Sequence, residues 1–502
     1  RLSCEDLRVA MNNMGYMNAR VVFNTKVRGK KLKAIYTLLP GKPFMIDRFS
    51  YDIQDSIIAD ILKPNLSQGL DATQPRQFTV LALDNERKRI TKILNDQGYY
   101  RFNKDYIYYT ADTVRGSRAV DVTLHLTKYQ PSSASEPALH PRYIVGRVNV
   151  LPGDSTGLHI RREIIADNTL IEPGKYFSAT DLQTTYNNLA RLGAIRYTDI
   201  EFKEMQRVDS IIVGKMLGYQ QSEKRYLEAN IKLSSNKPNT ISFQPEGTNT
   251  AGDLGAAAVL TYQNRNLFHG SELFSIELRA AFEAIKGLEG YNNHNYEEYG
   301  VQARLQFPRF LAPFSTREFR RHSNAVSELS VSWDFQDRPE FHRRVFSAAW
   351  KYNWSNAKRN LNYELEAPDL SYVYMPWISE RFKTDYLDNV SNRNAILRYN
   401  YEDLFIIRSG FSISYNRNDD VAIKAKIESA GNFLSLVDKV SKFKKNEQGQ
   451  SKIFNIAYAQ YLKFDFSFTR ILRFDPRNSL ALHADFGIAY PYGNSKVLPF
   501  EK

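Results

Sequence analysis

The stretch ELFSIELRAAFE, residues 272–283, takes up a two-residue alternation from Phe274. Phe274, Ile276, Leu278, Ala280 and Phe282 share one parity, and Ser275, Glu277, Arg279 and Glu283 share the other. Successive side chains of a β-strand point to opposite faces, so the pattern reads as a strand with one apolar and one polar face. The same parity recurs on the C-terminal side. ELSVSWDFQ sets Leu329, Val331, Trp333 and Phe335 against Ser330, Ser332 and Asp334. VFSAAWKYNW sets Phe346, Ala348, Trp350, Tyr352 and Trp354 against Ser347, Lys351 and Asn353. LALHADFGIAY sets Leu480, Leu482, Ala484, Phe486, Ile488 and Tyr490 against His483, Asp485 and Gly487. With YGVQARLQF, GFSISYN and KFDFSF, about eleven or twelve such runs follow Asn239, each near the roughly 9–11 residues of a tilted membrane strand.

Alternation does not say which face is wet. A soluble sandwich turns its apolar face inward, whereas a membrane barrel turns it to lipid. The barrel is favoured because the apolar faces are unbroken and often end in Tyr or Trp, as an interfacial girdle requires. Connections also alternate between tight and long, with a long one expected after Tyr374, and so many long strands would strain a sandwich. On the polar parity, Glu277, Arg279, Arg304, Asp334 and His483 are expected to face a lumen as solvated residues, with a selectivity ring or catalytic cluster as the sharper alternative. The segment KVSKFKKNEQGQSK, residues 439–452, reads as a solvated loop, or as one touching acidic lipid headgroups.

The alternating half begins with NTISFQPEGTNTAGD, residues 239–253. Thr240, Ile241, Ser242, Phe243 and Gln244 start a strand that Pro245, Glu246 and Gly247 should interrupt, because proline cannot donate to a ladder and glycine weakens one. Poor pairing is therefore expected along its second half. In a closed barrel the first strand zips to the last, so this seam is the candidate lateral gate; an ordinary bulge or turn is the equal alternative.

Upstream, helical periods return. Residues 44–128 carry an extended FMIDRFSYDI, a short helix SIIADIL, a second helix NERKRITKILNDQG, and two strands, YRFNKDYIYYT and AVDVTLHLT. Ile90, Ile93, Leu94 and Gln97 form a helical stripe, Asp84 or Asn85 is the expected cap, and Gly98 the stop. The order repeats as YIVGRVNVLPG, RREIIADN, SATDLQTTYNNLARLG, YTDIEFKEM and RYLEANIKLS. There Leu182, Tyr186, Leu189 and Leu192 make the stripe, and Ser178 and Asp181 have capping-box spacing. Residues 1–43 hold the end of an earlier copy. Gly15, Gly98 and Gly193 are each read as helix stops, so the unit is βααββ used in tandem. An uncovered strand edge in such a unit permits strand addition by another chain.

The 502-residue chain is 42% hydrophobic and 25% charged, enough for several cores. No run of about 18 apolar residues occurs, which excludes helical membrane spans and leaves β-barrels open. The lone Cys4 excludes a disulfide scaffold; it is read as a helix cysteine, with a lipoprotein cysteine as the alternative. The net charge of +13 suits nucleic acid or an anionic membrane surface, and the lack of a basic run interleaved with aromatics disfavours nucleic acid. No G-x-S-x-G, H-E-x-x-H, P-loop or G-x-G-x-x-G occurs, and His140, His294, His322 and His342 lack ligand spacing. Glu297–Glu298 and Asp419–Asp420 read as solvated pairs. No enzyme activity, metal or cofactor is expected, although a rim enzyme needs no local motif. Both ends look cut, since Arg1 opens directly on a helix.

Tandem βααββ modules ahead of alternating strands resemble the POTRA-plus-barrel architecture of the BamA/TamA superfamily of outer-membrane assembly factors. IEPGKYF and DLQTTYNNLARLGAIRYTDIEF look like a POTRA core. EGTNTAGDLGAAAVLTYQNRNLFHGSE looks like the start of that family's barrel, with IESAGNFL and VLPFEK also similar, so the resemblance spans the whole chain. It implies α+β POTRA modules at 1–43 (partial), 44–130 and 143–236, then an all-β transmembrane β-barrel at 237–502. The family's barrel has about sixteen strands, so this one would be incomplete, the family's Arg-Gly-aromatic loop and last strand lying beyond VLPFEK. The implied function is ATP-independent insertion of proteins into the outer membrane, with periplasmic POTRA modules. The implied partners are unfolded outer-membrane protein clients, outer-membrane lipids, and accessory subunits of the periplasm or inner membrane, but no nucleic acid. The alternative is a polypeptide or solute exporter.

Overall fold

The structure is a computed structural model that describes residues 2–69, 76–113, 117–132, 134–154, 157–215, 218–250, 253–285, 295–312, 316–356, 359–388, 401–417, 420–446, 449–475 and 477–495. VLPFEK and His294 lie outside these residues.

The chain divides into two compact units. The first comprises residues 1–151, 170–186 and 199–232. It opens with α1 (Leu2–Asn13), which stops at Gly15 in a left-handed conformation, φ 89°. The hairpin β1 (Arg20–Arg28) and β2 (Lys31–Leu39) follows.

The complete module next in line is β3 (Met45–Asp52), α2 (Ser56–Leu62), the two-residue β4 (Arg76–Gln77), α3 (Val80–Asn95), β5 (Ile107–Thr113) and β6 (Ala119–Leu126). Its sheet order is β4-β3-β6-β5, with β3 and β6 parallel. Parallel pairing needs a crossover, and the two helices supply it while covering one face. Ile58, Leu62, Ile90 and Leu94 meet Phe49, Ile107, Val122 and Leu124 in one buried core. Asp55 caps α2 by accepting from the Ile57 and Ile58 amides. Thr79, rather than Asp84 or Asn85, caps α3: its Oγ1 accepts from Ala82 N at 3.1 Å. The helix therefore starts a full turn earlier than its polar residues suggested, because VLALD continues the apolar stripe. The extended run expected from Tyr100 starts only at Ile107, since residues 104–106 form a 3-10 turn.

The last module contains β7 (Arg142–Pro152), α4 (Arg162–Asp167), α5 (Ala179–Ala190), β8 (Ile195–Lys215) and β9 (Gly218–Ser235), in sheet order β7-β9-β8. Both modules thus place their strands first–third–second. Ser178 caps α5 at Asp181 N, as its spacing predicted. Gly193 is not left-handed. There α5 closes through right-handed turns in which Leu192 N donates to Leu189 O and Ile195 N to Leu192 O.

The second unit comprises residues 152–169, 187–198 and 233–502. The module expected at 143–236 is thus shared between units, because two of its segments are bonded to strand connections. Arg161 Nη2 lies 2.9 Å from Glu272 Oε1, and the other oxygen of that buried carboxylate accepts from the Phe268 and Gly270 amides. Asn188 Nδ2 donates to Arg321 O, and Ala194 N to Ser271 Oγ. Arg321 lies in the last turn of the short helix α6 (Arg317–His322).

Among the described residues the body of this unit is one antiparallel sheet of eleven strands. In order these are β10 (Asn239–Thr250), β11 (Asp253–Asn264), β12 (Leu273–Ala284), β13 (Tyr296–Phe307), β14 (Val326–Asp337), β15 (Phe341–Asn356), β16 (Leu361–Ile378), β17 (Leu404–Arg417) and β18 (Val421–Ala430). After the short pair β19 (Lys452–Ile453) and β20 (Ile456–Ala457), the sheet ends with β21 (Tyr461–Arg473) and β22 (Ser479–Pro491). The long connection expected after Tyr374 begins at Ser379 and contains the single turn α7 (Glu380–Phe382). Among the described residues no ladder joins β10 to β22, so both are edges.

Candidate functional site

The sheet's two faces differ in chemistry. Register places Phe243, Leu260, Leu278, Val301, Trp333, Phe346, Tyr372 and Phe405 opposite one another on eight successive strands. One side chain from each strand thus builds an unbroken apolar row. Its members from Phe243 to Phe346 are exposed, with Phe243 at 66% and Trp333 at 52%. In water each such side chain forgoes about 1.5–3 kcal/mol relative to burial, and an apolar patch of this extent is foreign to a soluble surface. Hydrocarbon removes that cost.

The opposite face carries the charges. All five residues expected on a lumen face have this parity, but they do not form one cluster. Arg279 lies 3.9 Å from Glu246 and 3.7 Å from Glu298; Arg304 lies 3.4 Å from Glu328. Asp334 accepts from Ser332 Oγ and faces Gly300, where a Cβ would come within 2.9 Å of its Oδ1. His483 sits strands away on β22, bonded to Thr469 and Asp485. Glu277 shares the face with Arg279 on β12.

The most buried charges on this face were missed by sequence reasoning. Glu366 takes Lys351 Nζ at 2.8 Å and Lys426 Nζ at 3.1 Å. Asp369 takes Arg408 Nε at 2.7 Å, and Arg408 Nη1 also approaches Glu428 at 3.8 Å. Tyr461 OH donates to Glu428 at 2.6 Å. Three acids and three bases therefore balance. Glu366 and Asp369 are three residues apart, which on a regular strand sends them to opposite faces. A register shift between them turns both to the polar face. The signal available was the proline in LEAPDL, which marks such an irregularity.

The candidate gate strand behaves differently from expectation. The β10 ladder to β11 runs unbroken from Asn239↔Asn264 to Thr250↔Asp253, through Pro245↔Ala258 and Gly247↔Ala256. Pro245 and Gly247 therefore do not interrupt pairing. On an edge strand a proline nitrogen directed at the unpaired side removes no ladder bond. A Cβ at Gly247 would meet open space, so glycine is not sterically required there. Thr240, Ile241, Ser242, Phe243, Gln244, Pro245 and Gly247 are exposed and Glu246 is half-buried. Across the sheet, β22 is exposed along almost its whole length.

Among the described residues no group of three or more His, Cys, Asp or Glu side chains is placed to hold a metal ion, and no helix is long and apolar enough to cross a membrane.

No protein-family model matches the chain, and neither does any curated protein. Solved structures do. BamA from Haemophilus ducreyi lacking POTRA domains 1–3 is similar over 90% of this chain and 71% of its own, at 11% identity and TM-score 0.45. CdiB from Acinetobacter baumannii is similar over 89% and 90%, at 10% identity and TM-score 0.29. CdiB from Escherichia coli is similar over 98% and 93%, at 9% identity and TM-score 0.27. Among the described residues the chain has βααββ modules before Ser235 and an eleven-stranded antiparallel sheet from Asn239, and it is similar to the solved structures of BamA and CdiB.

Proposed function

We propose that the chain is an outer-membrane protein that inserts client polypeptides into that membrane, with its βααββ modules in the periplasm. The observation that supports this reading is the apolar row that starts on β10, the first strand of the sheet, and suits lipid; among the described residues no ladder lies on the outer side of β10. In hydrocarbon every backbone N–H and C=O needs a partner, and an open edge supplies partners regardless of side-chain sequence. An unfolded client strand that pairs with β10 satisfies its backbone while its alternate side chains enter lipid, so burial drives insertion without ATP. The module edges β5 and β8 offer the same pairing to clients in water. Accessory subunits would dock on these modules.

A second reading, export of a polypeptide or solute, is favoured by the charged polar face, which suits an aqueous path. Client fate separates the two. With Cys4→Ser and Ser242→Cys in the protein, a client caught during assembly should cross-link at position 242 and finish embedded in the outer membrane. Clients released outside the cell would replace the insertion reading with export. A disulfide joining this first strand to the last should abolish insertion; normal insertion with that staple fully formed refutes the gate.

A further inference from the structure

The apolar row ends at Phe405, which is only 4% exposed. Part of the connection between β18 and β21 covers it. Leu434, Ile456 and Tyr458 pack on Phe405, together with Leu370, Tyr372 and Ile407. By register these sheet residues share the parity of the exposed row. Leu434, Ile456 and Tyr458 thus cover the apolar face itself, at the end of the sheet opposite the connections bonded to Arg161 and Asn188. Gly431 N donates to Ile407 O and Ala459 N to Phe405 O, both at 2.9 Å. Gly431 has φ 73°, and a Cβ there would sit 2.3 Å from Ala459 O, so only glycine permits this return.

The segment begins with helix α8 (Asn432–Ser441). The reading of residues 439–452 as solvated loop therefore holds only in part. Leu434 faces the sheet, but Phe433, Leu436 and Val440 form a second stripe at spacings of three and four that faces outward. They are 66%, 63% and 84% exposed, and Phe454 is exposed beside Phe405. Lys439, within the stripe, and Lys442, Lys444 and Lys445, just after it, are exposed. A helix apolar on both sides has its second side unpaired in water.

We propose that α8 lies in the bilayer interface, its Phe433–Leu436–Val440 stripe entering the acyl layer and the four lysines meeting anionic headgroups. Continuity selects this occupant: the helix covers the same face, in the same row, that six exposed side chains present to lipid. Charge agrees, since lysine ammonium groups beside an apolar stripe suit an anionic bilayer surface. The segment would then hold the far end of the sheet at a fixed depth.

This inference rests on the membrane reading, and one experiment separates their failures. In the Cys4→Ser chain, single Leu278→Cys, Leu436→Cys and Lys445→Cys variants carry an environment-sensitive fluorophore. Each is reconstituted into phosphatidylcholine vesicles containing phosphatidylglycerol, then quenched by acyl-brominated lipid or by aqueous iodide. The Leu436 label should be quenched by brominated lipid at least about twofold more than the Lys445 label, with the reverse for iodide. Exchanging all four lysines for Gln should raise iodide quenching at Leu436. Quenching of Leu278 but not Leu436 by brominated lipid overturns the α8 inference alone. Failure at both overturns the membrane reading with it. Protection of Leu436 from both quenchers overturns it in favour of a protein partner, and Phe433→Cys repeats the test should the Leu436 variant not fold. Unchanged iodide quenching without the lysines removes the headgroup contact.

Discussion

Glu366→Gln tests whether the buried cluster on the polar face stabilises the sheet. The carboxylate is 8% exposed and bridges two lysines, Lys351 and Lys426, that are 32% and 26% exposed. At 2.8 and 3.1 Å the attractions are about 5–6 kcal/mol each at an effective dielectric near 20. Desolvation offsets most of it, and removing one partner of a buried pair typically costs about 3–5 kcal/mol. The lysines keep part of their water, and glutamine still accepts a hydrogen bond, so we expect a loss of about 2–3 kcal/mol. The assay is urea unfolding of the chain refolded in micelles. All four tryptophans, Trp333, Trp350, Trp354 and Trp377, lie on β14–β16 and report directly on this part of the sheet. Arg304→Gln is the internal control: Arg304 is 45% exposed and 3.4 Å from Glu328, so its loss should cost under about 1 kcal/mol. A double-mutant cycle with Lys351→Met should give a coupling of about 1 kcal/mol or more. If Glu366→Gln costs no more than Arg304→Gln, or the coupling vanishes, the cluster is not a stabilising network.

Two further outcomes bear on the modules. Gly98 has φ 99°, and a Cβ there would lie 2.9 Å from the Tyr176 ring and 3.2 Å from Tyr143 O. Gly98→Ala should therefore cost about 2–4 kcal/mol, read from faster exchange of the Tyr143 amide that donates to Gly98 O; under about 0.5 kcal/mol would contradict the strain. His140 is buried, with Nε2 2.9 Å from Thr127 O, and burial lowers its pKa from the ordinary value of 6.5. Because the folded value is depressed, its stabilising contribution is complete above the unfolded pKa and is lost as pH falls through about 6.5 toward the folded value. The urea midpoint of the modules, followed by far-ultraviolet circular dichroism, should drop over that window. His140→Gln should flatten the drop, and an unchanged slope would refute it.

The features legible in the sequence are those set by local period. Two-residue parity separates apolar from polar faces along β12, β14, β15 and β22, since a strand's backbone alone sends neighbours to opposite sides. Spacings of three and four mark the stripes of α3 and α5, and the left-handed stops at Gly15 and Gly98 follow from glycine's lack of a Cβ. Even so, Gly193 carried the same signal without that geometry, and Pro245 did not end its ladder, because each outcome depends on which neighbour the backbone meets.

Tertiary structure decided what depends on register between distant segments. The first–third–second strand order of the modules requires pairing of strands separated by two helices, which no local period encodes. Glu366 and Asp369 share a face only because the ladder slips between them, and their cation partners come from β15, β17 and β18. Glu272 gains Arg161 from 111 residues away. Phe405 belongs to the apolar row by register, yet it is hidden by Leu434, Ile456 and Tyr458, which lie on either side of the run read as a solvated loop. Composition along one strand determines which face is apolar; the pairing of strands determines which apolar residues stay exposed, because burial is a property of what lies opposite.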